Sequence, residues 1–167
     1  TRLTHSLEAA QIGTGITAQL QGKFTRLTEY VSLDHYLIET LCLAHDIGHP
    51  PFGHGGEIAL HYMMHQHGGF EGNGQTFRIV TRLEPYTAEH GMNLSRRSVL
   101  GLVKYPNFID TLTNQDIVPA DELRMRQVKA ENWHPPKGLF RCDENLFDWL
   151  LAPLKPEERD AFMAFNQ

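Results

Sequence analysis

Residues 34 to 47 constrain the fold of this chain more than any other stretch. The interior Tyr36-Leu37-Ile38 and Leu41-Cys42-Leu43-Ala44 is apolar on nearly every face. A helix of that kind is a buried one, which predicts a helical protein built around it. Ser32 or Asp34 supplies the N-cap. Gly48 and the pair Pro50-Pro51 end the helix.

The remaining segments read the same way. Leu3, Leu7, Ala10 and Gly13, together with Ile12, Ile16 and Leu20, recur at helical spacing and predict a helix over 2–21. A connection follows over 22–32. A third helix is expected over 56–65, stopped by Gly68-Gly69, and a fourth over 75–84. Asn93 reads as the N-cap of a fifth helix over 94–105, with Pro106 just beyond. Residues 107–143 show no clean period, and Pro135-Pro136-Lys137-Gly138 reads as a loop. Short helices over 144–151 and 157–165 close the chain. No stretch alternates like a strand, so the expected fold class is all-α, a single domain over 1–167.

Composition excludes several classes. With 41% hydrophobic and 21% charged residues among 167, the chain is too apolar for disorder. It has no apolar run of about 18 residues for a membrane span and no signal-peptide pattern. A cytoplasmic location is the expectation, with Cys42 and Cys142 as free thiols in a reducing compartment. A formal charge of −5 gives no bulk attraction to nucleic acid. The chain opens on Thr1 and closes on Gln167 directly after an amphipathic stretch, which predicts a piece of a longer protein.

Ten histidines are the unusual count. The helix over 34–47 ends in His45-Asp46, and a carboxylate there is costly unless it is paired or bound to metal. An exposed helix end would equally account for an isolated His-Asp pair. The run continues Gly48-His49-Pro50-Pro51-Phe52-Gly53-His54-Gly55-Gly56-Glu57, with glycines that let backbone approach a ligand. His5 lies one helix upstream. Antiparallel packing of the two helices would bring His5 beside His45 and Asp46. Two imidazoles and one carboxylate suit a divalent ion, with open positions for water or substrate.

Several stretches together resemble a known family. They are Arg2-Leu3-Thr4-His5-Ser6-Leu7-Glu8; Ala44-His45-Asp46-Ile47 through Gly56-Glu57; Gly69-Phe70-Glu71-Gly72-Asn73-Gly74-Gln75-Thr76-Phe77-Arg78; Asn93-Leu94-Ser95-Arg96-Arg97 with Lys104-Tyr105-Pro106; and Pro136-Lys137-Gly138. The chain resembles the HD-domain superfamily of metal-dependent phosphohydrolases, and within it the deoxyguanosine triphosphate triphosphohydrolase-like branch. The resemblance implies an HD-domain helical bundle and hydrolysis of a deoxynucleoside triphosphate to deoxynucleoside and tripolyphosphate. It implies His5, His45 and Asp46 as ligands of a divalent metal ion (Mg, Mn, Ni, Co, Fe or Zn), with a fourth carboxylate further along. It also implies a homo-oligomer.

The leaving 5′-alkoxide needs a proton, and His54 is the expected source. Glu57, one helical turn on, would fix its tautomer and stabilise its charged form. In the resembling family this pair is the proposed catalytic one. Whether His54 protonates the leaving group or activates the water is open, and Glu57 capping its helix is a compatible alternative. Arg2 and His49 are expected phosphate contacts, with an exposed terminal side chain as the alternative for Arg2. Asn73 and Gln75 are expected to bind substrate, with a cap-and-turn role equally open for Asn73. His61, His65 and His67 read as a solvated face rather than a second metal site, and Arg96-Arg97 as a surface patch.

The sequence departs from the family in one respect. No Asp follows Pro136-Lys137-Gly138 in the context expected for the fourth ligand. Asp121 precedes that loop and reads as a decoy; Asp143, Asp148 and Asp160 read as caps or solvated positions. The expectation is a partial domain with an incomplete metal site and weak or no activity. Two other readings stay open: another HD phosphohydrolase acting on nucleotides, or a non-catalytic module that binds nucleotide or single-stranded nucleic acid.

Overall fold

The computed structural model describes residues 2–26, 31–112 and 130–164. Asp121 and Phe165 lie outside the described residues. The elements are α1 (Arg2–Lys23), α2 (His35–Ala44), α3 (Gly53–Met64) and α4 (Gly72–Arg78), the last extended by a π turn over Ile79–Leu83. They continue as α5 (Arg96–Leu102), α6 (Ile109–Leu112), α7 (Glu144–Leu151) and α8 (Pro156–Met163). Short 3₁₀ turns cover His65–His67, Ala130–Trp133 and Arg141–Asp143. Among the described residues there is no strand, only isolated bridges at Thr87–Gly91 and Phe108–Leu139. The all-α expectation holds. No described helix is long and apolar enough to cross a membrane.

Local chemistry accounts for most boundaries. The Asp34 carboxylate accepts from the N–H groups of Tyr36 and Leu37, so α2 starts where the capping residue places it. Gly68 and Gly69 take φ of +92° and +74°, a path closed to ordinary side chains, and they stop the α3 segment. Ser95, not Asn93, caps α5, accepting from the Ser98 N–H. Asn93 instead adopts φ +53° two residues earlier, a left-handed turn that its short polar side chain tolerates.

The main core is formed by Phe77, Val99, Val103, Leu139, Phe147, Leu150 and Leu151, which join α4, α5 and α7. A smaller cluster of Ala44, Val80 and Leu102 seats the end of α2 on α5. The expectation that α2 is buried on all sides fails. Of its residues only Ala44 is buried, while Tyr36 is 77% and Leu43 41% exposed. α2 packs mainly along α1 and more lightly on α5, with its C-terminal end against Val80. Periodicity reports that a face is apolar, not that a partner covers it.

Two contacts fix the loop before Leu139. Trp133 packs edge-on against Tyr62 of α3, with ring centroids 4.8 Å apart. Leu139 N–H donates to Asn107 O at 2.7 Å, and Ile109 N–H donates to Leu139 O at 3.0 Å. The intervening residues, Lys137 among them, are thereby held over α3 and α4.

Gly48 is where the turn after α2 meets α4. Its N–H donates to Thr76 Oγ1 at 3.0 Å, and a Cβ there would collide with Thr76 N and Gly72 O. Gly48→Ala is therefore expected to cost about 1–3 kcal/mol by overpacking against backbone, read as a lowered thermal midpoint. An unchanged midpoint would show that the turn can move aside.

Candidate functional site

The antiparallel pairing of α1 and α2 brings the three expected ligands together. His5 Nε2 lies 3.2 Å from His45 Nε2 and 3.3 Å from Asp46 Oδ2. His45 Nε2 is 3.3 Å from the same oxygen. Among the described residues this is the one group of three or more His, Cys, Asp or Glu side chains whose ligand atoms converge closely enough to hold a metal ion.

The donor set fits a divalent ion. Ligands about 2.1 Å from one ion stand roughly 3.0–3.4 Å apart, and all three edges fall in that range. His45 Nδ1 is 2.7 Å from the Cys42 carbonyl. That bond commits the Nδ1 proton and leaves Nε2 as a bare lone pair, as metal-ligating histidines commonly arrange. Two imidazole nitrogens and a carboxylate oxygen converging this closely suit a cation better than open solvent.

His49 sits on the far side of Asp46, its Nδ1 3.5 Å from Oδ1, too long for a strong hydrogen bond. The Arg2 guanidinium donates to the backbone carbonyls of His49 and Pro50, which holds the start of α1 against the turn. Arg2, Asp46, His49 and His54 line one open groove with the Pro50–Gly53 turn. A second cleft of about 490 Å³ is lined by His45, Asp46, His49, His54, Asn73 and Lys137, and also by Lys104 and Tyr105. Gln75 is not among its lining residues.

His54 Nδ1 is 3.1 Å from Glu57 Oε2, and the His54 side chain is 80% exposed at the cleft. Glu57 is buried. It accepts from Gly72 N–H at 2.9 Å and from Lys137 Nζ at 3.0 and 3.1 Å, and among the described residues no backbone N–H in the first turn of its own helix donates to it. Burial pushes the Glu57 carboxyl up. Hydrogen bonds from Gly72, His54 and Lys137, and the charge of Lys137, outweigh it and hold the group below the ordinary glutamate range. Burial pushes Lys137 down, but Glu57 and Glu71 outweigh it and raise the ammonium.

Sequence reasoning did not pick out Lys137 or Glu71 as site residues. Lys137 stood only within the Pro-Lys-Gly stretch of the family resemblance, and Glu71 only within the glycine-flanked stretch before α4. Glu71 caps α4, accepting from Gly74 N–H at 2.7 Å and from Asn73 Nδ2 at 2.7 Å. Asn73 thus has a structural partner and also faces the cleft.

Three other expectations are corrected. His61 is not on a solvated face: it is buried, and Phe70 N–H donates to its Nδ1 at 3.1 Å. Burial pushes its imidazole down, towards the neutral form. His65 stacks on Tyr62 and meets Trp133 edge-on. Asp143 is neither a solvated position nor a side-chain cap. It is completely buried, with Arg82 Nε at 2.8 Å and Arg78 at 3.2 Å. Asp148 and Asp160 are exposed, Asp148 pairing with Arg159. Arg96 lies over the Trp149 ring at 4.1 Å, and Arg97 donates to Ser32 O at 2.6 Å, so neither is a plain surface charge. Cys42 and Cys142 are free.

Fold and site together define an all-helical protein whose two-histidine, one-aspartate group is suited to a divalent metal. A family model described as "HD domain" matches residues 2–109, and the chain belongs to the HD domain family. It is 60% identical over 166 residues to a deoxyguanosinetriphosphate triphosphohydrolase-like protein of Vibrio vulnificus, a match covering 99% of this chain and 37% of that protein. Similar proteins of the same description occur in Vibrio parahaemolyticus, at 60% over 158 residues (95% of this chain, 36% of that protein), and in Aliivibrio fischeri, at 54% over 169 residues (99% and 37%). The chain thus spans a little over a third of the length of these relatives.

Proposed function

We propose that the protein is part of a metal-dependent phosphohydrolase that converts a deoxynucleoside triphosphate to deoxynucleoside and tripolyphosphate. The observation that carries this reading is a single cleft lined by His45 and Asp46, which converge with His5, and by His54, which is backed by Glu57. The relatives' description as deoxyguanosinetriphosphate triphosphohydrolase-like supports the substrate class.

The reaction adds a water oxygen to the α-phosphorus and breaks its bond to O5′, which takes a proton. His5, His45 and Asp46 would hold the metal ion. When bound, that ion neutralises phosphate charge and lowers the pKa of a water. Glu57 accepts the Nδ1 proton of His54 and leaves Nε2 to exchange a proton with leaving group or water. His49 and Arg2 lie along the neighbouring groove, where their donors can meet phosphate oxygens. Asn73 offers an amide to sugar or base, and Gln75 would join it only through movement of its side chain. The intact enzyme is proposed to be a homo-oligomer.

The deciding experiment incubates the metal-loaded protein with each deoxynucleoside triphosphate and identifies products. Tripolyphosphate and deoxynucleoside are expected; orthophosphate or a nucleoside monophosphate would overturn the assignment in favour of another phosphohydrolase. His54→Ala is expected to lower kcat by roughly 10²–10⁴-fold while nucleotide affinity, read by calorimetry, stays within about threefold. Lost affinity with unchanged kcat would make His54 a binding residue.

A further inference from the structure

Behind the cleft two carboxylates lie side by side with one cation between them. Glu57 is 1% and Glu71 0% exposed. Lys137 Nζ, brought in from a loop 80 residues further along the chain, contacts both oxygens of Glu57 and lies 3.2 Å from Glu71 Oε1. The groups facing Glu57 are His54 and His61 from α3, Glu71 from the α4 cap and Lys137 from the loop; His49 packs beyond, against Gly72.

Two adjoining buried carboxylates do not both stay ionised unaided: repulsion and lost hydration drive a proton onto one of them. With one ammonium added, the trio carries a net −1, which a protonated His54 would balance. We propose that Lys137 is a positioning residue, the shared counter-charge of Glu57 and Glu71 that presents Glu57 to His54 as an anion. Its side chain borders the cleft, but its ammonium is taken up by Glu57 and Glu71, so it acts through Glu57 rather than on substrate. The inference rests on the hydrolytic role proposed for His54 and Glu57.

The test compares Lys137→Met with the unsubstituted protein. Titration followed by carboxyl NMR, without nucleotide, is expected to show one extra proton held near pH 7 and released at about pH 8, because two adjoining buried carboxylates without a cation between them repel each other. In turnover, kcat should fall about 100-fold at pH 6 and less than about twofold at pH 9, with KM unchanged. Adding Glu71→Gln returns the net charge to −1 and keeps an acceptor for the Gly74 N–H. The double variant should release the extra proton and recover the pH profile, and it guards against a single variant that folds poorly.

No extra proton in Lys137→Met, or one retained in the double variant, would overturn the proposal. A loss equal at every pH would reduce Lys137 to a structural strut. A raised KM with unchanged kcat would instead assign it to a substrate phosphate. The proton count needs no substrate, so failure to release tripolyphosphate would sink the proposed function while the titration still decides this inference.

Discussion

Replacing Arg78 and Arg82 together by methionine is expected to cost about 3–5 kcal/mol, the range for stripping a buried charge of its partners. Asp143 has no exposed surface, and both arginines reach it from α4 and the π turn that follows. Methionine fills the volume of the stems but leaves the carboxylate without a cation. The reverse change, Asp143→Ala, should cost less. The two guanidinium side chains are 32% and 36% exposed and can turn to water once released. The larger loss corresponds to a drop in thermal midpoint of roughly 6–20 °C for a domain of this size. Calorimetry of both variants checks the order: if Asp143→Ala proved the more damaging, desolvation of the carboxylate would not be the dominant effect.

The second large effect is expected at the metal group. Asp46→Asn keeps the shape of the side chain and removes its charge. Even residues behind the ligands alter metal affinity about 10–100-fold, so loss of the one carboxylate among three donors should weaken binding at least about 100-fold. Manganese or nickel titration by calorimetry measures this directly, and turnover should fall with metal content. Excess metal should restore part of the activity, since His5, His45, His54 and Glu57 remain in place. Undiminished affinity would mean that the donors close to His5 and His45 are not the ligands.

The sequence made this centre readable because most of its parts are local. His45, Asp46, His49, His54 and Glu57 sit in one short glycine- and proline-rich run, and His5 follows once two helices pair antiparallel. Glu71 and Lys137 escaped because nothing local marks them. Lys137 meets Glu57 only after Trp133 has docked on Tyr62 and Leu139 has bonded to Asn107, contacts between segments far apart in the chain. The exposure of α2 was illegible for a related reason: Tyr36 and Leu43 are apolar whether or not anything covers them. Asn93 and Ser95 are both good caps by type, and only the left-handed turn at Asn93 passes the role to Ser95. His61 looked polar and exposed because its partner, the backbone of Phe70, leaves no mark on the pattern of side chains.

Gly48 has a bearing on all of this. It lets two main chains lie directly against each other, one leading back to Asp46 and the other to Gly72, whose N–H holds Glu57. The spacing between the turn that follows Asp46 and the start of α4 is consequently set by close backbone contact and one hydrogen bond. The two segments share one chassis, and a disturbance that loosens one must loosen the other.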